Sequence, residues 1–184
     1  PGKRRICISR KESLLLRYKP LKPHRYETHR HRRSDIGHRT RSRKTLYSGG
    51  LQIGAAGRRE EALEKLRTQA PDLIVTESLD ITRDDAPEHL SRLIDKLGGM
   101  DIYLHCSGIG KRNTELHPDI EIDTLRTNGE GFVRMVTAAF GYFRAHGGGH
   151  LAVISSIAGT KGLGSAPAYS ATKRMQNTYI DALS

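Results

Sequence analysis

Tyr169 and Lys173 stand four residues apart in Ala168-Tyr169-Ser170-Ala171-Thr172-Lys173, and Ser156 precedes the tyrosine by thirteen residues in Val153-Ile154-Ser155-Ser156-Ile157-Ala158-Gly159. A phenol, an ammonium and a hydroxyl brought to one place can move a proton to or from a carbinol oxygen. A phenol with the ordinary pKa near 10 is a poor base at neutral pH, but an ammonium one helical turn away favours the phenolate. The serine hydroxyl can bond the same oxygen and hold a carbonyl in place. None of the three can accept a hydride, so redox chemistry would need a cofactor. Taken singly, a tyrosine at a helix start reads as a packing residue and a lysine four residues on as a solvated one. The setting argues otherwise, because the serine ends an apolar strand and a glycine-rich connection leads from it into the helix that carries Tyr169 and Lys173.

The elements that would position these groups alternate. Leu51–Ala56 reads as a short strand, and Arg59–Thr68 as a helix with Ala62, Leu63 and Leu66 on one face and a Glu61/Lys65 pair. Asp72–Thr76 is a second strand region. The next helix runs from Ala86 to Leu97, with Thr82 or Asp84 as its cap; Leu90, Leu93, Ile94 and Leu97 form its apolar stripe, and Gly98-Gly99 stops it. Asp101–Cys106 is a third strand. A long helix, Glu121–Ala145, has Val133, Val136, Phe140 and Phe143 as its apolar contacts. His150–Ser155 is a fourth strand and Ala168–Ser184 a last helix. Strands alternating with helices imply an α/β fold, a Rossmann-like doubly wound parallel sheet in three layers. Such sheets bind ligands at the carboxyl ends of their strands, where Cys106-Ser107-Gly108 and Ser155-Ser156 both fall.

Composition divides the chain in two. Its net charge of +11 belongs to residues 1–50, which hold 16 Lys or Arg against 3 Asp or Glu, a balance of +13; the remainder has 15 against 17, or −2. The first 50 residues contain no Ala, Val, Phe, Met, Asn or Gln, and His24, His29, His31 and His38 are interleaved with arginines. Ile6-Cys7-Ile8 and Leu14-Leu15-Leu16 are too little for a core, so disorder is the expectation for 1–50, with a partial dinucleotide-binding and catalytic domain over 51–184. Three readings of the basic segment stand side by side: a solvated arm, a stretch that is not natural protein sequence (such as an out-of-frame translation), and a nucleic-acid-binding tail. The third carries the alternative function, a basic nucleic-acid-binding protein with a catalytically idle α/β domain.

Two cysteines, Cys7 and Cys106, have no metal-ligand spacing around them, which argues against a disulfide framework and for a reducing cytoplasm. No run reaches the roughly 18 apolar residues of a membrane span. The chain opens at Pro1 without methionine and stops inside a helical pattern at Ser184, so it reads as part of a longer one.

From about Leu51 to Ser184 the sequence resembles the short-chain dehydrogenase/reductase family. Ile154–Gly159 followed by Tyr169–Lys173 is similar to that family's active-site signature. The resemblance implies Tyr169 as general acid/base, Lys173 as the residue that binds the nicotinamide ribose and supports the tyrosine, and Ser156 as the group that polarises the carbonyl. Asn128, 28 residues before Ser156, matches the family's helix asparagine of a proton relay; its other reading is a solvated mid-helix amide. Leu79-Asp80-Ile81 resembles the adenine-binding turn, with the Asp80 side chain and the Ile81 amide as contacts; alternatively Asp80 is a turn residue for the following helix. Arg58 and Arg59 stand where an NAD-preferring member offers an acidic residue, and a guanidinium suits a 2′-phosphate, so NADP is the expected cofactor; both arginines also read as surface charges. His105-Cys106-Ser107-Gly108 replaces the family's Asn-Asn-Ala-Gly, keeping Gly108 beside the cofactor, and Cys106 reads as a buried small residue. The family's opening strand and glycine-rich pyrophosphate turn are missing. Ser34-Asp35-Ile36-Gly37 echoes only the tail of that turn. Arg5–Ser9 has strand character but is followed by Arg10-Lys11-Glu12 and not by glycines; without the opening strand the sheet lacks its middle, and the chain stops before the family's later strands and substrate-binding loop, so the expected sheet is incomplete at both ends. The implied partners are a small carbonyl or alcohol substrate and a second copy of the chain, paired through the long helix and the Tyr169 helix.

Overall fold

The computed structural model describes residues 4–9 and 51–183. Five strands form one parallel sheet: β1 (Arg4–Ser9), β2 (Leu51–Gly57), β3 (Ile74–Ser78), β4 (Ile102–His105) and β5 (His150–Val153), in the order β3-β2-β1-β4-β5. The order reverses at β1, so the sheet is the Rossmann-like α/β arrangement that the alternation of elements implies.

The central strand overturns one expectation. Arg4–Ser9 lies inside the basic segment, yet Ile6, Cys7, Ile8 and Ser9 are all buried, as a middle strand covered on both faces requires. It pairs with β2 from Arg4↔Leu51 to Ser9↔Ala56 and with β4 from Ile6↔Ile102 to Ser9↔His105. The sheet therefore has its middle, and the folded unit begins ahead of the compositional boundary at residue 50. The remainder of the basic segment, with its histidines and the Ser34–Gly37 echo, lies outside the described residues.

Helix α2 (Ala86–Leu97) buries its stripe of Leu90, Leu93, Ile94 and Leu97, and its backbone stops at Gly98 in the left-handed region that glycine adopts without strain. Asp85 stands at its N-terminus in place of Thr82 or Asp84, with no capping bond to the helix; its carboxylate accepts from Arg83 instead. Asp80 organises the preceding turn, its Oδ1 accepting from Thr82 N at 3.0 Å and Thr82 Oγ1 at 2.8 Å. Helix α1 (Glu60–Arg67) packs on β2 and β3, and its ion pair is Glu64–Arg67, not Glu61–Lys65.

The long helix is interrupted. Helix α3 (Pro118–Leu125) and α4 (Gly131–Ala145) are joined without a break by a π turn at Arg126–Glu130. In α4, Phe132, Met135, Val136, Ala139 and Phe143 join α2, Cys7 and Tyr103 in one core, while Phe140 faces outward. A short 3-10 turn (Ile157–Gly159) follows β5, and helix α5 (Pro167–Asp181) completes the described chain. No helix among the described residues is long and apolar enough to cross a membrane.

Candidate active site

The site is built at the carboxyl ends of β4 and β5, under α5. Ser156 follows β5 in an extended backbone conformation and caps the 3-10 turn, its Oγ accepting from Ala158 N at 3.2 Å. That bond uses an oxygen lone pair and leaves the Ser156 O–H to donate elsewhere. Tyr169 and Lys173 lie one turn apart on α5, as an i,i+4 pair must.

Lys173 is 6% exposed. Its Nζ donates to the Ile154 carbonyl at 2.8 Å, two residues before Ser156, and to Gln176 Oε1 at 3.0 Å. Desolvation holds its pKa below the ordinary lysine value, with Cys106 opposing that shift. Ser155 Oγ donates to Asn177 Oδ1, a second tie between the end of β5 and α5. Gly159 permits this close packing: a Cβ there would lie 3.0 Å from the Lys173 carbonyl oxygen.

Asn128 is fully buried in the π turn. Its Oδ1 accepts from Ile109 N at 2.7 Å, and its Nδ2 donates to Ile109 O at 2.7 Å and to Thr172 Oγ1 at 3.2 Å. A solvated mid-helix amide is thereby ruled out, because the side chain clamps the loop after β4 and the neighbour of Lys173. Π turns are concentrated at functional sites.

Two glycines fix how closely the loop after β4 approaches these groups. A Cβ on Gly108 would come within 3.2 Å of Asn128 Oδ1 and 3.8 Å of Lys173 Nζ, and one on Gly110 would strike the Tyr169 ring at 2.8 Å. His105, at the end of β4, is fully buried; Tyr103 Oη and its Nδ1 are 3.0 Å apart, and its Nε2 has no partner. Burial above all, with Lys173 adding to it, pushes the His105 pKa down to about 3, so the imidazole is neutral. Across the sheet, Ser9 Oγ and Ser107 Oγ share a hydrogen bond of 2.7 Å.

The adenosine-end candidates form a second cluster, at the carboxyl ends of β2 and β3. Arg58, Asp80, Arg83, Asp85 and His89 line a cavity of about 440 Å³ there. Arg58 Nη1 is 3.5 Å from Asp80 Oδ2, a long ion pair with a half-exposed guanidinium. The turn bonds of Asp80 agree with its reading as a turn residue. Burial works to raise its pKa, but the bonds from Thr82 and the charge of Arg58 hold it below the usual carboxylate value. Ile81 puts its side chain in the core and its carbonyl oxygen accepts from Arg134 Nη1 at 3.0 Å, leaving its N–H as the part able to meet a ligand.

Sequence reasoning missed Gln176 and Gly110. Gln176 was detectable, for Tyr169, Lys173 and Gln176 fall at i, i+4 and i+7, one stripe of α5, and a carboxamide on a buried stripe must find partners.

Three comparisons extend this picture. A family model described as short chain dehydrogenase matches residues 34–184. An uncharacterized oxidoreductase of Myxococcus xanthus is 33% identical over 140 residues, 73% of this chain and 55% of the relative. Among solved structures, an actinorhodin polyketide ketoreductase with NADPH superposes with a TM-score of 0.68 at 23% identity, over 75% of this chain and 56% of that one. Serine dehydrogenase from Escherichia coli gives 0.67 at 25% identity, over 75% and 66%. The chain spans about half the length of the curated relatives it matches.

Proposed function

The chain belongs to the short-chain dehydrogenase family, and on that footing we propose that it acts as an NADP-dependent oxidoreductase interconverting a ketone and a secondary alcohol. The observation that carries this reading is the burial of Lys173 with its Nζ bonded beside Ser156 and one turn from Tyr169. These bonds tie the candidate base and its cation on α5 to the chain segment that carries the candidate carbonyl-binding hydroxyl.

The residues present fit a dinucleotide at both of its ends. Gly108 and Gly110 let the backbone after β4 come close to Asn128 and the Tyr169 ring, and the cavity at Arg58 and Asp80 lies at the strand ends where such sheets bind nucleotides. Lys173, with two of its three N–H donors held by protein, has one for a ribose hydroxyl. Arg58, with Arg83 and His89 beside it, suits a 2′-phosphate and favours NADP. Asp80 and the Ile81 backbone are the adenine contacts in this reading. The family's glycine-rich pyrophosphate turn has no counterpart in the sequence, and residues 10–50, with the Ser34–Gly37 echo of it, lie outside the described ones.

When bound, the nicotinamide supplies the hydride chemistry that no side chain can. The chain's own groups handle the proton. The Ser156 O–H donates to the substrate oxygen. Tyr169 Oη gives a proton to that oxygen in reduction or takes it in oxidation. The Lys173 ammonium stabilises negative charge on the phenolic oxygen. Asn128 holds the loop after β4 in register with α5, which is its part in the proton relay. Exposed Ile122 and Leu125 on α3, Phe140 on α4 and Met175 on α5 support pairing with a second copy through these helices.

The test is Tyr169→Phe. Oxidation of NADPH with a panel of aliphatic and cyclic ketones should vanish while NADPH fluorescence titration is unchanged. Turnover at the level of the unaltered protein would sink the assignment.

A further inference from the structure

We propose that Gln176 is a positioning residue that locks the Lys173 ammonium to the π turn, an assignment that rests on the reading of Lys173 as a cofactor-binding cation. Gln176 is 0% exposed. Its Oε1 accepts from Lys173 Nζ at 3.0 Å, and its Nε2 donates to the Asn128 carbonyl oxygen at 2.8 Å. A carboxamide can accept at one end and donate at the other without adding charge. Gln176 thus joins two helices through one side chain, with the ammonium on α5 and the peptide of the π turn as its two ends.

Lys173 has need of such a partner. A lysine ammonium spins about its last bond unless its donors are held, and it is costly to bury unpaired. With Ile154 O and Gln176 Oε1 fixed, the rotor is locked and the third N–H has one direction. The titratable groups that face this ammonium are His105 and Cys106 at the end of β4, with Tyr169 one turn earlier on α5. His105 is neutral and none of the three is a carboxylate, so two uncharged acceptors do most of the work of keeping the buried charge. Losing Gln176 Oε1 frees the rotor and lets the ammonium lose its proton at lower pH.

The experiment follows NADPH binding by fluorescence across neutral to alkaline pH in the unaltered protein, Gln176→Met and Lys173→Met. Methionine fills a similar volume without a strong acceptor. The alkaline loss of affinity should set in about one pH unit earlier in Gln176→Met, so that the two proteins differ by up to about tenfold in affinity on the alkaline side of the limb, the factor that one pKa unit makes. Lys173→Met should bind weakly throughout, with no alkaline limb. A folded Gln176→Met with an unmoved limb overturns the role of Gln176 alone. An unmoved limb in Lys173→Met sinks the reading of Lys173, and this proposal with it. If Gln176→Met does not fold, nuclear magnetic resonance of the unaltered protein decides: the Gln176 side-chain amide signals must move with the Lys173 titration, and flat signals overturn the proposal.

Discussion

Asn128 and Ile109 exchange two hydrogen bonds of 2.7 Å each, the side-chain amide of one pairing with both the N–H and the C=O of the other. The pairing mimics one rung of a β-ladder with a side chain in the place of a strand. Asn128→Ala removes the rung and leaves a part-buried N–H and C=O without partners. At about 1–3 kcal/mol for each of the two orphaned groups, roughly 2–6 kcal/mol of stability should be lost, read from urea unfolding. Asn128→Asp should also destabilise, because a carboxylate cannot donate to Ile109 O. A loss below about 0.5 kcal/mol in both variants, the range of an ordinary surface change, would contradict the clamp.

Gly110→Ala tests the seating of the Tyr169 ring. The added methyl would lie 2.8 Å from Tyr169 Cδ2, so the part-exposed ring must swing away. Turnover should fall by about a hundredfold, the scale of a one-ångström misplacement, with little change in melting temperature. Activity equal to that of the glycine protein would mean the ring position is unimportant to the chemistry.

Arg58→Ala separates the two nicotinamide cofactors. Its guanidinium is free enough to turn from Asp80 toward a phosphate. NADPH binding should weaken by about tenfold, one charge-assisted hydrogen bond, while NADH binding stays the same. Equal losses for both would remove the 2′-phosphate assignment.

Glu77 sets an acid limit on stability. Burial works to raise its pKa, yet hydrogen bonds from Lys96, His89 and Arg92 together hold it below the ordinary value of 4.5. A carboxylate whose folded pKa is depressed contributes its full stability above the unfolded value and loses it as pH falls through the folded one. The unaltered protein should therefore lose about 1–2 kcal/mol more than Glu77→Gln between neutral pH and the region below pH 4.5. Parallel stability–pH curves for the two proteins would show that the cluster contributes nothing measurable.

Cys7 reports on β1. Burial pushes its thiol up to about 12, and it is 1% exposed between β2 and β4. The thiolate is the reactive form, so alkylation at mildly alkaline pH, read by mass spectrometry, should leave Cys7 unmodified until denaturant unfolds the sheet. Rapid native labelling of Cys7 would mean that Arg4–Ser9 does not occupy the middle of the sheet.

Most of the fold was legible because its elements announce themselves in periodicity. The stripe of α2 and its Gly98 stop are local signals, and they located the helix to the residue. Tyr169, Lys173 and Ser156 were legible because their spacing along α5 and β5 is itself the geometry. The π turn was not, since the sequence around Asn128 reads as helix and the extra residue shows only when Asn128 finds Ile109. Asp80 was ambiguous for a related reason: an aspartate before a helix serves a turn or a ligand equally well, and its bonds to Thr82 are a property of the turn. Arg4–Ser9 was obscured by its neighbours, because a six-residue strand in a basic segment has no amphipathic pattern to set against the composition. A central strand needs none, being covered on both faces.

That strand gives the protein a distinctive folding problem. The β2–β3 pair and the β4–β5 pair can each form from sequence neighbours, but they meet only through β1, the first of the described strands. Ser9 lies beside Ala56, 47 positions later in the sequence, and beside His105, 96 positions later. Contacts of such long sequence separation form slowly. The two halves of the sheet should therefore collapse as separate units and lock together only when six residues arrive between them, which makes the central strand the last one to commit.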